Sequence, residues 1–87
     1  MEIQFDKKFI KRFDRLSVKD QKRVRDSIDV FRKKPQDPAL RNHALKGVME
    51  RYRAISVRAD LRIIFIEYEN YTLVVFIDVG SHNQVYR

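Results

Sequence analysis

An α+β domain of element order β-α-α-β-β-β is expected from three features of this chain. The first half carries apolar residues at helical spacing. The second half switches to runs of β-branched and aromatic residues, the chemistry of strands. A polar stretch bounded by proline and glycine separates the two. Together they describe an antiparallel meander sheet with an N-terminal helical hairpin packed on one face. At 87 residues the chain suffices for one domain, taken as residues 1–87.

The elements follow in order. Residues 2–5 (EIQF) alternate as a short strand. Asp6 is placed to cap a first helix. In that helix Phe9, Ile10, Phe13 and Leu16 fall on one apolar stripe. Lys7, Lys8, Lys11, Arg12 and Arg15 lie mostly off that stripe and face solvent. Ser17 and Asp20 form a capping-box pattern opening a second helix. Its Val24, Ile28 and Phe31 share a face, and Lys33, Lys34 and Pro35 stop it. The segment PQDPALRNHALKG reads as a loop. Strands are expected over 51–57, 61–68 and 71–79, joined at Arg58–Asp60 and at Glu69–Asn70. The last run is nearly all apolar, as for a strand covered on both faces or central in the sheet.

Composition narrows the function classes. With 44% hydrophobic and 36% charged residues the chain folds rather than staying disordered. It has no cysteine, which excludes disulfides and thiolate zinc sites and fits a reducing compartment. No apolar run reaches the length of a membrane span. The opening MEIQFDKKFIKRF lacks the apolar core of a signal peptide. A cytoplasmic protein without membrane contact is expected. The net charge of +7 and pI near 10.0 set up a positive field that attracts a polyanion.

The polar residues of the second half sit at strand ends and in loops. Asp60 and Arg62 lie at the start of the third strand, and His82 and Tyr86 follow the last. Antiparallel pairing brings the end of the fourth strand beside the start of the third. Asp60, Arg62 and His82 therefore meet at one rim of the sheet. Whether His43 joins them depends on the path of its loop. Such a set suits RNA cleavage by the RNA's own 2′-hydroxyl. That reaction needs a base, an acid and cations for the phosphate oxygens. Histidine serves either proton role, arginine binds phosphate through its planar fork, and no metal or other cofactor is required. The same residues also admit plainer readings. A loop histidine can be a surface residue, Arg62 an ion-pair partner of Asp60 or Asp78, and Tyr86 an aromatic cover on the sheet edge.

The segments NHALKG, ERYRAISV, ADLRIIF and DVGSHNQVY resemble the RelE/ParE superfamily of toxins, most closely its RelE and YafQ ribonuclease branches. The resemblance covers nearly the whole chain, and the GSHNQVY tail is its most specific part. It implies that His43, Asp60 and His82 match functional residues of YafQ-type toxins. Tyr86 matches the stacking tyrosine of RelE, and Arg62 matches a RelE arginine. Arg53 falls at a RelE lysine where the YafQ branch has arginine. Two positions depart. Ser56 stands where YafQ-type toxins have a further histidine, and Ile55 where RelE has a lysine. The implied activity is metal-independent, ribosome-dependent cleavage of mRNA in the ribosomal A site by His43, Asp60, Arg62, His82 and Tyr86. Arg41, Lys46, Arg51, Arg53 and Arg58 would bind RNA phosphates. A cognate antitoxin, with an acidic segment, would be the protein partner. The competing expectations are a ParE-like toxin that inhibits DNA gyrase without cutting nucleic acid, a basic RNA-binding module without catalysis, and a degenerate toxin kept as a repressor subunit.

Overall fold

The computed structural model describes residues 1–86. Strand β1 (Glu2–Phe5) leads into helix α1 (Lys7–Asp14) and helix α2 (Val18–Lys33). A 3₁₀ turn at Pro38–Leu40 precedes strand β2 (His43–Ala44) and a second 3₁₀ turn at Gly47–Met49. Strands β3 (Arg53–Arg58), β4 (Leu61–Tyr68) and β5 (Leu73–Gly80) follow, and a one-turn helix α3 (His82–Val85) ends the fold. The sheet order is β1-β5-β4-β3-β2. The meander β2 to β5 is antiparallel, whereas β1 pairs parallel with β5, from Glu2↔Leu73 to Phe5↔Phe76.

The helices start where their caps allow. The Asp6 carboxylate accepts from Lys8 N at 3.0 Å, and Ser17 Oγ accepts from Asp20 N at 3.0 Å. Each satisfies an amide that lacks an intrahelical acceptor. Asp20 does not close a reciprocal box. Its carboxylate turns instead to Arg23 and Arg58. The expected apolar stripe of α1 holds at Phe9, which is 3% exposed, and breaks at Ile10, which is 47% exposed. Val24, Ile28 and Phe31 of α2 are buried as their spacing requires.

The main core lies between the helices and one face of the sheet. Phe31 sits edge-on to Phe65, Tyr71 and Phe76, with ring centroids 5.1, 6.0 and 5.5 Å away. Such contacts add to area burial because ring edges meet ring faces. Among the described residues Asp78 is the buried charge. Its carboxylate lies 3.3 Å from Lys8 Nζ and 3.5 Å from Arg12 Nε, so α1 is clamped to β5. The other sheet face carries a smaller cluster of Ala54, Ile64 and Val85. That face is only partly covered, and the candidate site lies on it.

Two boundaries differ from expectation for identifiable reasons. The stretch expected as loop holds β2, because His43 and Ala44 pair with Ala54 and Arg53. Gly47, at φ 71°, makes the turn between β2 and β3 in a backbone region that disfavours side chains. The last strand starts at Leu73, since Glu69, Asn70 and Tyr71 form a left-handed turn with φ of 51°, 53° and 68°. Glu67 Oε1 steadies that turn by accepting from Tyr71 N at 3.0 Å.

Candidate active site on the open sheet face

The register of the sheet assembles the site. Ser56 pairs with Arg62, and Arg62 pairs with Gly80, so these positions form a row across β3, β4 and β5. Past Gly80 the chain turns into α3, which carries His82 and Tyr86 back over the row. From the other side, β2 brings His43 opposite Ala54. An open cavity of about 390 Å³ results, lined by Arg41, His43, Leu45, Ser56, Arg62, His82 and Tyr86. A neighbouring depression of about 470 Å³ shares Arg41, Ser56 and Arg62 and adds Arg58. Both are rich in guanidinium groups and open to solvent.

His43 has a defined tautomer when neutral. Its Nδ1 lies 2.8 Å from the carbonyl oxygen of Arg41. A carbonyl can only accept, so Nδ1 carries the proton and Nε2 keeps its lone pair. Arg41 aims that carbonyl from a left-handed backbone, φ 51°, a conformation that is costly for a residue with a side chain. Arg62 is anchored by one nitrogen. Its Nη1 donates to the carbonyls of Arg58 at 3.1 Å and Ala59 at 3.0 Å. Among the described residues its Nε and Nη2 have no protein acceptor, so half of the fork is available to an anion. His82 stands exposed on α3, its ring edge-on to Tyr86 with centroids 4.5 Å apart. Tyr86 rests its other side on the cluster of Ala54, Ile64 and Val85.

The structure thus brings together His43, Arg62, His82 and Tyr86, together with Arg41. Asp60 stands outside the cavity. Its Oδ1 accepts from the backbone N of His82 at 3.1 Å. The ion pair between Arg62 and Asp60 or Asp78 does not form, since Asp78 is held by Lys8 and Arg12. Arg53 is placed elsewhere. It pairs with Phe65 on the helix-facing side of the sheet, and its Nε donates to Asn42 Oδ1 at 2.8 Å. Arg58 lines the second depression while gripping both oxygens of Asp20 at 3.0 Å. Hydrogen bonds from Arg58, then from Arg23, lower the Asp20 carboxyl from 3.8 to about 2, and Asp20 in turn raises Arg58. Lys46 and Arg51 are exposed beside the β2–β3 connection and line neither depression. Among the described residues, no group of three or more His, Asp or Glu side chains could hold a metal ion. Among the described residues, no helix is long and apolar enough to cross a membrane.

Sequence reading missed two contributors. Leu45 supplies an apolar wall of the cavity. Gln84 closes a capping box with Ser81, Ser81 N donating to its Oε1 at 2.9 Å. The signal for the box was present as Ser81 and Gln84 three residues apart.

A helical hairpin on one face of a mixed five-stranded sheet is the RelE/YafQ-like toxin fold. YafQ from Escherichia coli superposes with a TM-score of 0.83 over 99% of this chain and 98% of that chain, at 17% identity. A copper-bound mutant toxin from Helicobacter pylori superposes with a TM-score of 0.79 at 27% identity, covering 98% of each chain. The E. coli DinJ–YafQ toxin–antitoxin complex gives a TM-score of 0.81 at 17% identity over 99% of this chain and 97% of that chain. No curated protein sequence matches the chain. The family model for YafQ, a bacterial toxin of type II toxin–antitoxin systems, matches residues 1–87. The chain belongs to that toxin family.

Proposed function

We propose that this toxin is an mRNA endoribonuclease that arrests translation by cutting mRNA in the ribosomal A site. The observation that carries the reading is the meeting of His43, Arg62, His82 and Tyr86 around one open cavity from three separate segments of the chain. A fold does not need two exposed histidines and a half-anchored arginine at one spot. Transfer of a phosphodiester from its 5′-oxygen to a neighbouring 2′-oxygen does.

In this scheme His43 Nε2 takes the proton of the 2′-hydroxyl, since Nδ1 is already committed to Arg41 O. The 2′-oxygen attacks phosphorus and the bond to the 5′-oxygen breaks. His82 supplies the proton to the leaving oxygen. The products are a 2′,3′-cyclic phosphate and a 5′-hydroxyl. Arg62 binds the non-bridging oxygens through its free nitrogens, where charge builds up. Tyr86 offers a ring for base stacking. The adjoining depression with Arg41 and Arg58 accepts a neighbouring phosphate, a contact that positions without reading sequence.

The +7 chain is suited to ribosomal RNA and to an acidic antitoxin segment. The DinJ–YafQ toxin–antitoxin complex supports an antitoxin partner here. In this proposal the partner covers the cavity and blocks it. The reading also takes the chain to be one cytoplasmic domain. Purified toxin with ribosomes carrying a defined mRNA tests the chemistry. Cuts in the A-site codon ending in cyclic phosphate and 5′-hydroxyl are expected. Intact mRNA, with double-strand DNA breaks in arrested cells, would favour the gyrase-binding alternative.

A further inference from the structure

Asp60 falls where the family resemblance puts a catalytic carboxylate, yet it does not line the cavity. We infer that Asp60 is a positioning residue acting through the backbone of His82, and that Gly80 and Gln84 complete the same device.

Helix α3 has four residues, a single turn too short to hold its shape unaided. Its first amides have no intrahelical acceptors and need partners from elsewhere. Three bonds supply them. Gln84 N donates to Ser81 Oγ at 3.3 Å, and Ser81 N donates to Gln84 Oε1 at 2.9 Å. The third, His82 N to Asp60 Oδ1 at 3.1 Å, comes from outside the helix. The sheet register explains its reach. Arg62 pairs with Gly80, so the residue two before Arg62 meets the residue two after Gly80. Val85, 5% exposed, fixes the far end of the turn on Ala54 and Ile64. His82 is thereby held at its backbone, and its ring meets Tyr86 one turn along.

Gly80 is part of the device because of space, not of backbone angle. A Cβ built there would lie 2.5 Å from Gln84 Oε1 and 3.2 Å from Gln84 Cβ. The glutamine amide is the end of a flexible side chain and can swing away, while the contact with Gln84 Cβ requires α3 to give by a few tenths of an ångström, so a methyl at position 80 disturbs this turn and not the core. What is lost is the bond to Ser81 N. The cavity-facing chemistry is untouched while the turn that carries His82 is loosened. This gives the glycine and glutamine of GSHNQVY a physical task that neither charge nor nucleophilicity supplies.

The inference rests on the ribonuclease reading of the cavity, and its test separates the two. Cleavage on programmed ribosomes and the His82 amide proton shift of the free toxin are measured for wild type, Asp60→Asn, Asp60→Ala, Gly80→Ala and Gln84→Ala. Asparagine keeps an acceptor oxygen but cannot carry a proton. Asp60→Asn is therefore expected to hold kcat within about fivefold. Asp60→Ala, Gly80→Ala and Gln84→Ala lose on the order of 100-fold in kcat with KM little changed, the scale of a misplacement of about 1 Å. The His82 amide proton moves upfield in Asp60→Ala and stays in place in Asp60→Asn. An Asp60→Asn variant as inactive as Asp60→Ala, with its His82 amide unmoved, overturns the inference in favour of a proton carrier. If wild type cuts nothing, the ribonuclease reading fails. The positioning claim then stands or falls on the amide shift alone.

Discussion

Replacing His43 by asparagine separates two tasks that the imidazole ring combines. The asparagine amide reaches the place of Nδ1 and can donate to Arg41 O, which His43 Nδ1 meets at 2.8 Å. It has nothing at the place of Nε2. His43 is exposed, so the change should alter stability by no more than about 0.5 kcal/mol, the scale of ordinary surface substitutions. Loss of a general base costs about 10²–10⁴-fold in rate, or roughly 3–5 kcal/mol of barrier. Single-turnover cleavage with toxin in excess over programmed ribosomes isolates that step from product release. His43→Asn should fall in that range with unchanged ribosome binding. His43→Ala should match it kinetically and lose about 1 kcal/mol more stability, the worth of one hydrogen bond. A His43→Asn rate within about tenfold of wild type would place the base elsewhere, because base loss alone predicts more.

Three further outcomes follow from the packing. Phe31, fully buried against three rings, should cost about 3–5 kcal/mol on Phe31→Ala and lower Tm by more than about 10 °C; a loss under about 1 kcal/mol in calorimetry would refute the core assignment. Tyr71 OH accepts from Gln36 at 3.1 Å and Asn42 at 3.1 Å, so Tyr71→Phe should cost about 1 kcal/mol in urea unfolding, and no change would show those bonds to be idle. Arg58 and Arg23 hold the Asp20 carboxyl at about 2 against an ordinary 3.8. A depressed folded-state value stabilises above the unfolded value and is lost as pH falls through the folded one. The Tm gap between wild type and Asp20→Asn should therefore be full at neutral pH, close between pH 3.8 and about 2, and shrink in high salt. A gap constant down to pH 2 would contradict the pairing.

Much of this arrangement is legible in the sequence because period and caps are local signals. Phe9, Val24, Ile28 and Phe31 declare their helix faces, and Asp6 and Ser17 declare the starts. The rim meeting of Arg62 and His82 follows from antiparallel pairing alone. What the sequence hides is set by partners distant along the chain. Nothing near His43 says that its loop closes onto β3 as a two-residue strand. Arg53 and Arg62 look alike as strand arginines. Only register shows Arg53 on the helix side bonded to Asn42 and Arg62 on the cavity side. Asp60 looks like a partner for a nearby side chain, whereas its acceptor oxygen meets a backbone amide 22 residues later. Resemblance points to one rim of the sheet and does not reveal which of its residues face the cavity.

The most direct test is primer extension on a translated reporter mRNA after induction, with wild type beside His43→Ala and His82→Ala. New in-frame cuts with wild type, absent with either variant and absent when the reporter's start codon is removed, are the predicted result. Growth arrest with an intact reporter, or cuts that persist with either variant, would contradict the assignment of this cavity as a translation-coupled ribonuclease site.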